Sequence, residues 1–269
     1  MPNEFVARKG LQSLRSSSFE ETVWISGSLS SPVEAYLTAS WANHSSTSSY
    51  LNPTTDGRFA NTIFHEHWLC NSAIGNSQWE VIISGQGATG SISGSEPKHP
   101  GIVELHTGYS NSNSIILQSG GNVITFDTGS VYTLDTMINI PILANATEMY
   151  QFFIGFGNNI YTGDLIDGAY LCYDYWTNTT NFLVKTANNS TRTTTDTGVA
   201  VVANIWYQFT VSVDGANAKF YINKTLVATH TTNIPLTRST GLLIKLNKYA
   251  GYSDRTVKID YFNVFMPKI

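Results

Sequence analysis

The sequence predicts an all-β fold in which two antiparallel sheets pack together as a jelly-roll sandwich. Many short apolar runs are separated by turn residues. Helical periodicity is almost absent. Of the 269 residues 42% are hydrophobic and only 13% are charged. A chain of this length can bury roughly 70 to 75% of its extended surface. A hydrophobic core can therefore hold the fold without disulfides or a structural metal.

The clearest strand signal is the segment WYQFTVSVD at 206–214, where apolar and polar residues alternate. Asp214 and Gly215 then form a turn signal, the chain resumes as KFYI, turns at Asn223 and Lys224, and continues as TLVATH. This order predicts three consecutive antiparallel strands. Similar short runs lie at 80–84, 102–106, 114–118, 122–126, 131–143, 149–156, 168–175, 181–186, 241–247 and 256–265.

Residues 1–58 differ from the remainder of the chain. They contain two short apolar patterns separated by serine-rich pieces, followed by a polar stretch from Asn43 to Gly57. Too few apolar residues lie here for an independent core, and an isolated hairpin is not stable alone. We therefore expect residues 1–58 to pair with another copy or with a larger assembly. The sandwich domain is predicted to occupy residues 59–269.

Charge and hydropathy exclude several partners. With 15 basic and 19 acidic residues the net charge is −4, so nothing neutralises a nucleic-acid backbone. No apolar run approaches the roughly 18 residues of a membrane span, and we expect no membrane insertion. The polar start lacks the apolar stretch of a secretory signal, so folding in a cytosol is expected. Cys70 and Cys172 are then expected to be reduced and buried.

The acidic residues argue against an enzyme. Paired carboxylates on one strand must be two residues apart to share a face. No two of the nineteen acidic residues have that spacing, and the nearest non-adjacent pair is Asp164 and Asp167. We predict no catalytic residues, although a pair assembled from different strands stays open.

Metal binding has one weak candidate. His65 and His67 would share a face of a strand, as a two-histidine metal site requires. The remaining ligands are missing from the surrounding sequence, so we predict no metal and no cofactor.

The segment DGAYLCYDYW at 167–176 is the best candidate for ligand binding. A flat aromatic ring beside a carboxylate suits sugar recognition, because the ring covers the apolar face of a pyranose while the carboxylate accepts its hydroxyls. The alternative is that Tyr170 is an amphipathic surface residue with a solvated hydroxyl. If Ala169, Leu171 and Tyr173 face the core, then Tyr170, Cys172 and Asp174 lie on the opposite face. The candidate carbohydrate-binding residues are Tyr170, Asp174, Trp176 and Arg192.

Several longer strings resemble a known family. HPGIVELHTG at 99–108, DGAYLCYD at 167–174, TANNSTRTTTDTGVAV at 186–201, WYQFTVSVDG at 206–215 and KFYINKTLVATHTTNIP at 219–235 occur in order. Together they resemble the concanavalin A-like, lectin/glucanase-type jelly-roll domain of bacteriophage structural proteins. Separately, PNEFVARKGLQSL followed by VWISGSL resembles the N-terminal segment of phage tail and fibre proteins.

The resemblance implies a virion structural protein of tail-fibre or head-fibre type, assembled in the host cytoplasm. Such appendages are often trimeric, so it implies a homo-oligomer in which residues 1–58 attach to other virion proteins. The jelly-roll domain would face outward and bind host surface carbohydrate. The E-x-D-x-x-E motif of glucanases is absent, so hydrolysis does not transfer. Lectin calcium loops are not recognisable, so the expectation of sugar binding rests on the fold.

Three alternatives stay open. One is a purely architectural decoration, another is a polysaccharide-degrading enzyme with carboxylates from separate strands, and the third is a cellular adhesion module.

Overall fold

The computed structural model describes residues 61–66, 79–93, 96–158, 163–178 and 180–267, with backbone pairing alone for 61–66. The described chain is all-β, with no helix in these ranges. Its strands are β1 (Asn61–Glu66), β2 (Trp79–Ser84), β3 (Thr89–Ser93), β4 (Ile102–His106), β5 (Ser114–Thr125), β6 (Tyr132–Asn139), β7 (Tyr150–Gly157), β8 (Gly168–Asp174), β9 (Asn181–Asn188), β10 (Thr191–Ala200), β11 (Trp206–Val213), β12 (Ala218–Ile222), β13 (Thr225–His230), β14 (Ser239–Lys248) and β15 (Thr256–Pro267).

The strands form two antiparallel sheets that pack face to face. One has eight strands in the order β13-β12-β11-β6-β15-β4-β3, with β1 also paired to β15. The other has seven strands in the order β10-β9-β8-β7-β14-β5-β2. Strands distant in sequence, such as β7 and β14, are neighbours, so the chain crosses repeatedly between sheets. The predicted two-sheet antiparallel jelly-roll sandwich is confirmed.

The predicted three-strand meander is present as β11, β12 and β13. Every second residue of β11 is buried in the core, namely Tyr207, Phe209, Val211 and Val213. The turn between β12 and β13 places Asn223 and Lys224 at φ values of 50° and 66°. Two consecutive left-handed residues are typical of the two-residue hairpin turn whose twist matches the flanking strands.

Strands β3 and β10 lie outside the predicted apolar runs. Strand β10 has the sequence TRTTTDTGVA, pairs only with β9, and alternates between exposed and half-buried residues. It is an edge strand in which threonine, a β-branched residue, supports the extended backbone without an apolar face. The runs at 114–118 and 122–126 are one strand, β5, whose pairing with β14 contains a register shift.

One large hydrophobic core fills the space between the sheets. From β8 it receives Ala169, Leu171 and Tyr173, as the alternation predicts. Tyr170 and Cys172 lie on the opposite, outer face of the seven-stranded sheet, in a second apolar cluster. Cys172 is buried and free of any disulfide. Burial raises the pKa of its thiol, so the neutral form is favoured.

Other predictions fall on residues that the structure does not describe. They are the segment 1–58 and its boundary, the side chain of His65, and the residues His67 and Cys70.

Candidate functional site

The outer face of the seven-stranded sheet is covered at Tyr170. The segment 163–167, which precedes β8, lies over this part of the sheet and buries Tyr170 completely. Gly157 makes the close approach possible, because a Cβ atom there would lie 2.3 Å from Leu165 Cδ1. Leu165 is itself fully buried in the outer cluster. We call this part of the sheet, beneath residues 163–167, the covered face.

Polar contacts hold the covering segment in place. Lys185 Nζ donates to both carboxylate oxygens of Asp164 at 2.9 Å, and Lys245 Nζ donates to the Gly163 carbonyl at 2.9 Å. Both lysines are buried, and both ammonium groups lie within 6 Å of the Phe153 ring centroid, at 5.9 and 5.4 Å. Burial lowers the pKa of Lys245 to about 8, although the Asp164 carboxylate favours its charged form.

The far end of the covering segment is anchored by Asp167. Its carboxylate accepts two hydrogen bonds from the Arg238 guanidinium, at 3.0 and 2.9 Å, and one from the Asn189 backbone amide at 2.7 Å. A paired guanidinium and carboxylate give both charge neutralisation and a fixed orientation. The segment is therefore fastened at both ends of its described length.

This covering involves two of the predicted sugar-contacting residues. Tyr170 lies on the predicted face, but its ring is fully buried and presents no platform to solvent. Arg192 donates to the carbonyl oxygens of Ser190 and Leu165, both at 2.9 Å. The Arg192 guanidinium therefore helps to hold residues 163–167 in place. Alternation along a strand determines the face of a side chain, and a neighbouring loop determines whether that face is open.

Further along the same face, four neighbouring strands place polar residues in one cross-strand row. Asp174 of β8 is opposite Gln151 of β7, Gln151 is opposite Asn247 of β14, and Asn247 is opposite Ser114 of β5. Directly opposed residues share a face of the sheet. In the described chain Asn247 Oδ1 and Ser114 Oγ are buried without a hydrogen-bond partner. Unpartnered buried polar atoms are uncommon and costly, so the row requires an explanation.

An open groove lies beside this row. It has a volume of about 230 Å³ and is lined by Gln151, Trp176 and Tyr249. Trp176 is 75% exposed and Tyr249 is 41% exposed, so both rings reach solvent. We call this site the open groove.

Asp174 positions the tryptophan of the open groove. Its Oδ1 accepts the Trp176 backbone amide at 3.0 Å, and its Oδ2 accepts the Thr177 hydroxyl at 2.7 Å. The carboxylate is almost fully buried, with both oxygens occupied. Of the four predicted residues, the structure therefore brings Asp174 and Trp176 together, with Asp174 as a support for the turn.

Among the residues that the structure describes, the lining of the open groove carries no charged side chain. The Tyr249 hydroxyl hydrogen-bonds Gln151 Oε1, which fixes both side chains. Burial raises the pKa of this hydroxyl above its ordinary value, so it stays protonated at neutral pH. Two aromatic rings beside a primary amide and a hydroxyl suit an uncharged ligand that has an apolar face and polar edges.

Three residues of the groove and the polar row lie outside the residues predicted from the sequence, namely Gln151, Asn247 and Tyr249. A signal for two of them is present in the run LLIKLNKY at 242–249, where alternate positions after Leu243 are Lys245, Asn247 and Tyr249. Polar residues at every second position of an apolar strand indicate a second face with its own role. The partner Gln151 comes from β7, and its proximity depends on the crossover between sheets.

A cluster of charged residues occupies the outer face of the eight-stranded sheet. Lys258 of β15 contacts both Glu96, at 2.5 Å, and Glu104, at 3.4 Å. The His99 ring stacks on Trp206 with centroids 4.1 Å apart, and His99 Nδ1 is 2.9 Å from Asp260 Oδ2. The Lys258 hydrogen bond lowers the pKa of Glu96 and outweighs the opposing effect of burial. The sandwich thus brings carboxylates from separate elements together.

The described residues contain neither a metal-binding cluster nor a membrane-spanning helix. Within those ranges no three His, Cys, Asp or Glu side chains are grouped so that they could hold a metal ion. No helix in the same ranges is long and apolar enough to cross a membrane.

Comparison with solved structures gives the same fold. A protein of unknown function, SO2946 from Shewanella oneidensis MR-1, superimposes with a TM-score of 0.56 at 14% identity, covering 77% of this chain and 87% of that one. At this identity the likeness shows the fold alone. A search of curated protein sequences finds no match.

Two further structures are less similar. A botulinum neurotoxin type C chain, which needs two ganglioside molecules to enter cells, has a TM-score of 0.48 at 14% identity, covering 83% of this chain and 48% of that one. A carbohydrate esterase of the Shiga toxin-encoding bacteriophage phi24B has a TM-score of 0.47 at 14% identity, covering 82% and 100%.

The family assignment comes from the sequence itself. The profile described as "SO2946-like, C-terminal domain" matches residues 98–260, which is more than half of the chain. The matched range begins just before β4, ends within β15 and includes the three described residues that line the open groove. The chain therefore belongs to the family of SO2946-like C-terminal domains.

Proposed function

We propose that this jelly-roll domain binds carbohydrate in the open groove. The observation that carries the proposal is the pairing of the exposed Trp176 ring with Tyr249 around the amide of Gln151. A pyranose has an apolar face that an aromatic ring covers, and equatorial hydroxyls that amide and phenol groups bind. The uncharged lining favours neutral sugars over acidic ones.

The side chains of the open groove are also held in fixed positions, which supports the proposal. The Trp176 turn is fixed by a buried carboxylate, and Tyr249 is fixed by its hydrogen bond to Gln151. A site whose side chains are ordered before binding loses less entropy when the ligand arrives. In the neighbouring polar row, Asn247 Oδ1 is buried without a partner in the described chain, and an ordered water would satisfy it.

We further propose that the protein is a virion appendage of a bacteriophage, of fibre or decoration type. The support is the resemblance of five strings in the jelly roll and of the PNEFVARKGLQSL segment to phage structural proteins. In this proposal residues 1–58 attach a homo-oligomer to other virion proteins and the jelly roll faces the host. Several copies that present one weak site gain avidity without new contacts.

Binding is tested on an array of neutral bacterial and plant polysaccharides with the full chain. The wild type is expected to bind at least one of them, and Trp176→Ala is expected to lose about tenfold or more in affinity. Leu226→Ala is the matched control, because Leu226 is 52% exposed on β13 of the other sheet. Equal binding by both variants and wild type would remove the open groove from the proposal.

The attachment role has a separate test. Analytical ultracentrifugation of the full chain is expected to give a homo-oligomer, with a trimer as the leading expectation. A monomer at micromolar concentration would contradict the proposed role of residues 1–58, and would leave the groove untouched.

One observation favours a second candidate, a polysaccharide-degrading enzyme. Glu96 and Glu104 come from different elements and share Lys258, so a carboxylate pair does exist on the eight-stranded sheet. However, a glycosidase needs a proton donor whose pKa is raised, whereas that of Glu96 is lowered. Incubation with the bound polysaccharide and assay of new reducing ends decides the question. Their appearance, and their loss in Glu96→Gln, would establish the enzyme.

A further inference from the structure

Lys248, which directly precedes Tyr249 of the open groove, joins two loops. Its side chain is fully buried, and its Nζ donates to the carbonyl oxygens of Gly108, at 3.2 Å, and Ser253, at 2.6 Å. The Glu148 carboxylate lies 3.6 Å from the same nitrogen. Burying an ammonium group is costly unless its hydrogen bonds are made. The two carbonyl contacts therefore fix both loops relative to each other.

We call the connection of the Gly108 and Ser253 loops through Lys248 the joint. Other buried or half-buried groups strengthen it. Glu148 accepts the backbone amides of Tyr252, at 3.0 Å, and Ser253, at 3.1 Å. Asp254 Oδ1 accepts the backbone amide of Gly108 at 2.7 Å. The backbone on both sides of the joint is thus held by charge-assisted hydrogen bonds, the stronger class.

This rigid joint presents two exposed aromatic rings. Tyr109 follows Gly108 directly and is 75% exposed, and Tyr252 precedes Ser253 directly and is 69% exposed. The Asn111 amide lies 3.5 Å from the Tyr252 hydroxyl. Rigid exposed tyrosines provide large contact area at low entropic cost, which is why binding surfaces are enriched in them.

The joint lies within reach of the open groove. Tyr252 is three residues from Tyr249, so their Cα atoms are at most about 10 Å apart. That distance suits about two linked pyranose rings. We propose that Tyr109 and Tyr252 form a second aromatic subsite, and that the ligand is an oligosaccharide chain that crosses from the open groove to this pair. The inference rests on the proposed carbohydrate binding and adds the requirement for a chain.

The test measures affinity against ligand length with the full chain. The probes are glucose, N-acetylglucosamine and mannose, each with its linear oligosaccharides up to about six residues. For wild type and for the control Leu226→Ala, affinity within the most tightly bound series is expected to increase about tenfold from the monosaccharide to the trisaccharide. The double variant Tyr109→Ala, Tyr252→Ala is expected to lose that gain and to retain monosaccharide binding. The double variant Tyr109→Phe, Tyr252→Phe keeps the rings and is expected to retain most of the gain.

The outcomes separate the two proposals. The second subsite is overturned if affinity still increases with ligand length in the double alanine variant, or if it does not increase with length in wild type. The open groove stands in both cases. Failure of the wild type to bind any member of the three series contradicts both proposals. Both tyrosines are largely exposed, so unfolding midpoints close to wild type are expected for the variants and exclude misfolding as the cause.

Discussion

The covered face and the open groove lie on the same side of the same sheet and differ mainly in what covers them. In the covered face, residues 163–167 seal Tyr170, Lys185 and Lys245 from solvent. In the open groove, Trp176 and Tyr249 extend beyond the ends of β8 and β14, and their rings stay exposed. Similar aromatic and polar residues therefore stabilise the fold in the covered face and are available for a ligand in the open groove.

The largest expected effect is on stability in the covered face. Tyr170→Ala should destabilise the protein by about 3 to 5 kcal/mol, because it removes a fully buried ring from the outer cluster. Urea unfolding measures the change. Tyr170→Phe is the matched control and should cost about 1 to 2 kcal/mol, since the hydroxyl contacts Asp164, at a long 3.4 Å, and Arg192. If the alanine variant loses less than about 1 kcal/mol of unfolding free energy, residues 163–167 do not pack tightly on the Tyr170 ring.

The next effect is the pH dependence that Lys245 contributes. Its pKa is about 8 in the folded protein and 10.5 in the absence of perturbation, so the unfolded chain binds more protons between these values. Stability from this group should therefore rise as pH increases from about 8 to 10.5, by up to roughly 3 kcal/mol.

Lys245→Met isolates the contribution, because it keeps the apolar stem and removes the ammonium group. The difference in unfolding free energy, wild type minus variant, should increase across that pH range. Urea unfolding at several pH values measures it. A constant difference would mean that the Lys245 ammonium is accessible to water, and the covered face would not be sealed.

A smaller effect is expected for the polar row beside the groove. Asn247→Leu should leave stability unchanged or raise it by about 1 kcal/mol, because it replaces an unpartnered buried acceptor by an apolar group. Polysaccharide binding by the same variant should stay close to that of the wild type, because the Asn247 side chain is buried. A loss of more than about 2 kcal/mol in unfolding free energy would identify Asn247 as a structural residue.

Much of the fold was predictable from local patterns. Alternation gave the meander at 206–230 and the two faces of β8, because a strand has a period of two. Strands β3 and β10 escape prediction because each packs a single hydrophobic residue, Ile92 or Val199, against the core.

The candidate site was less predictable. Trp176 was identified from its place beyond β8, whereas Gln151 and Tyr249 join it through pairings between distant strands. The burial of Tyr170 depends on a loop with few apolar residues, fastened by Asp164 and Asp167. Such long-range contacts leave no local trace in one sequence.

The most direct test measures polysaccharide affinity and unfolding free energy for Trp176→Ala and Tyr170→Phe side by side. Trp176→Ala is expected to lose about tenfold or more in affinity while its stability stays within about 0.5 kcal/mol of wild type. Tyr170→Phe should keep its affinity. Unchanged binding by Trp176→Ala, or a comparable loss of binding in Tyr170→Phe, would contradict the division into a covered face and an open groove.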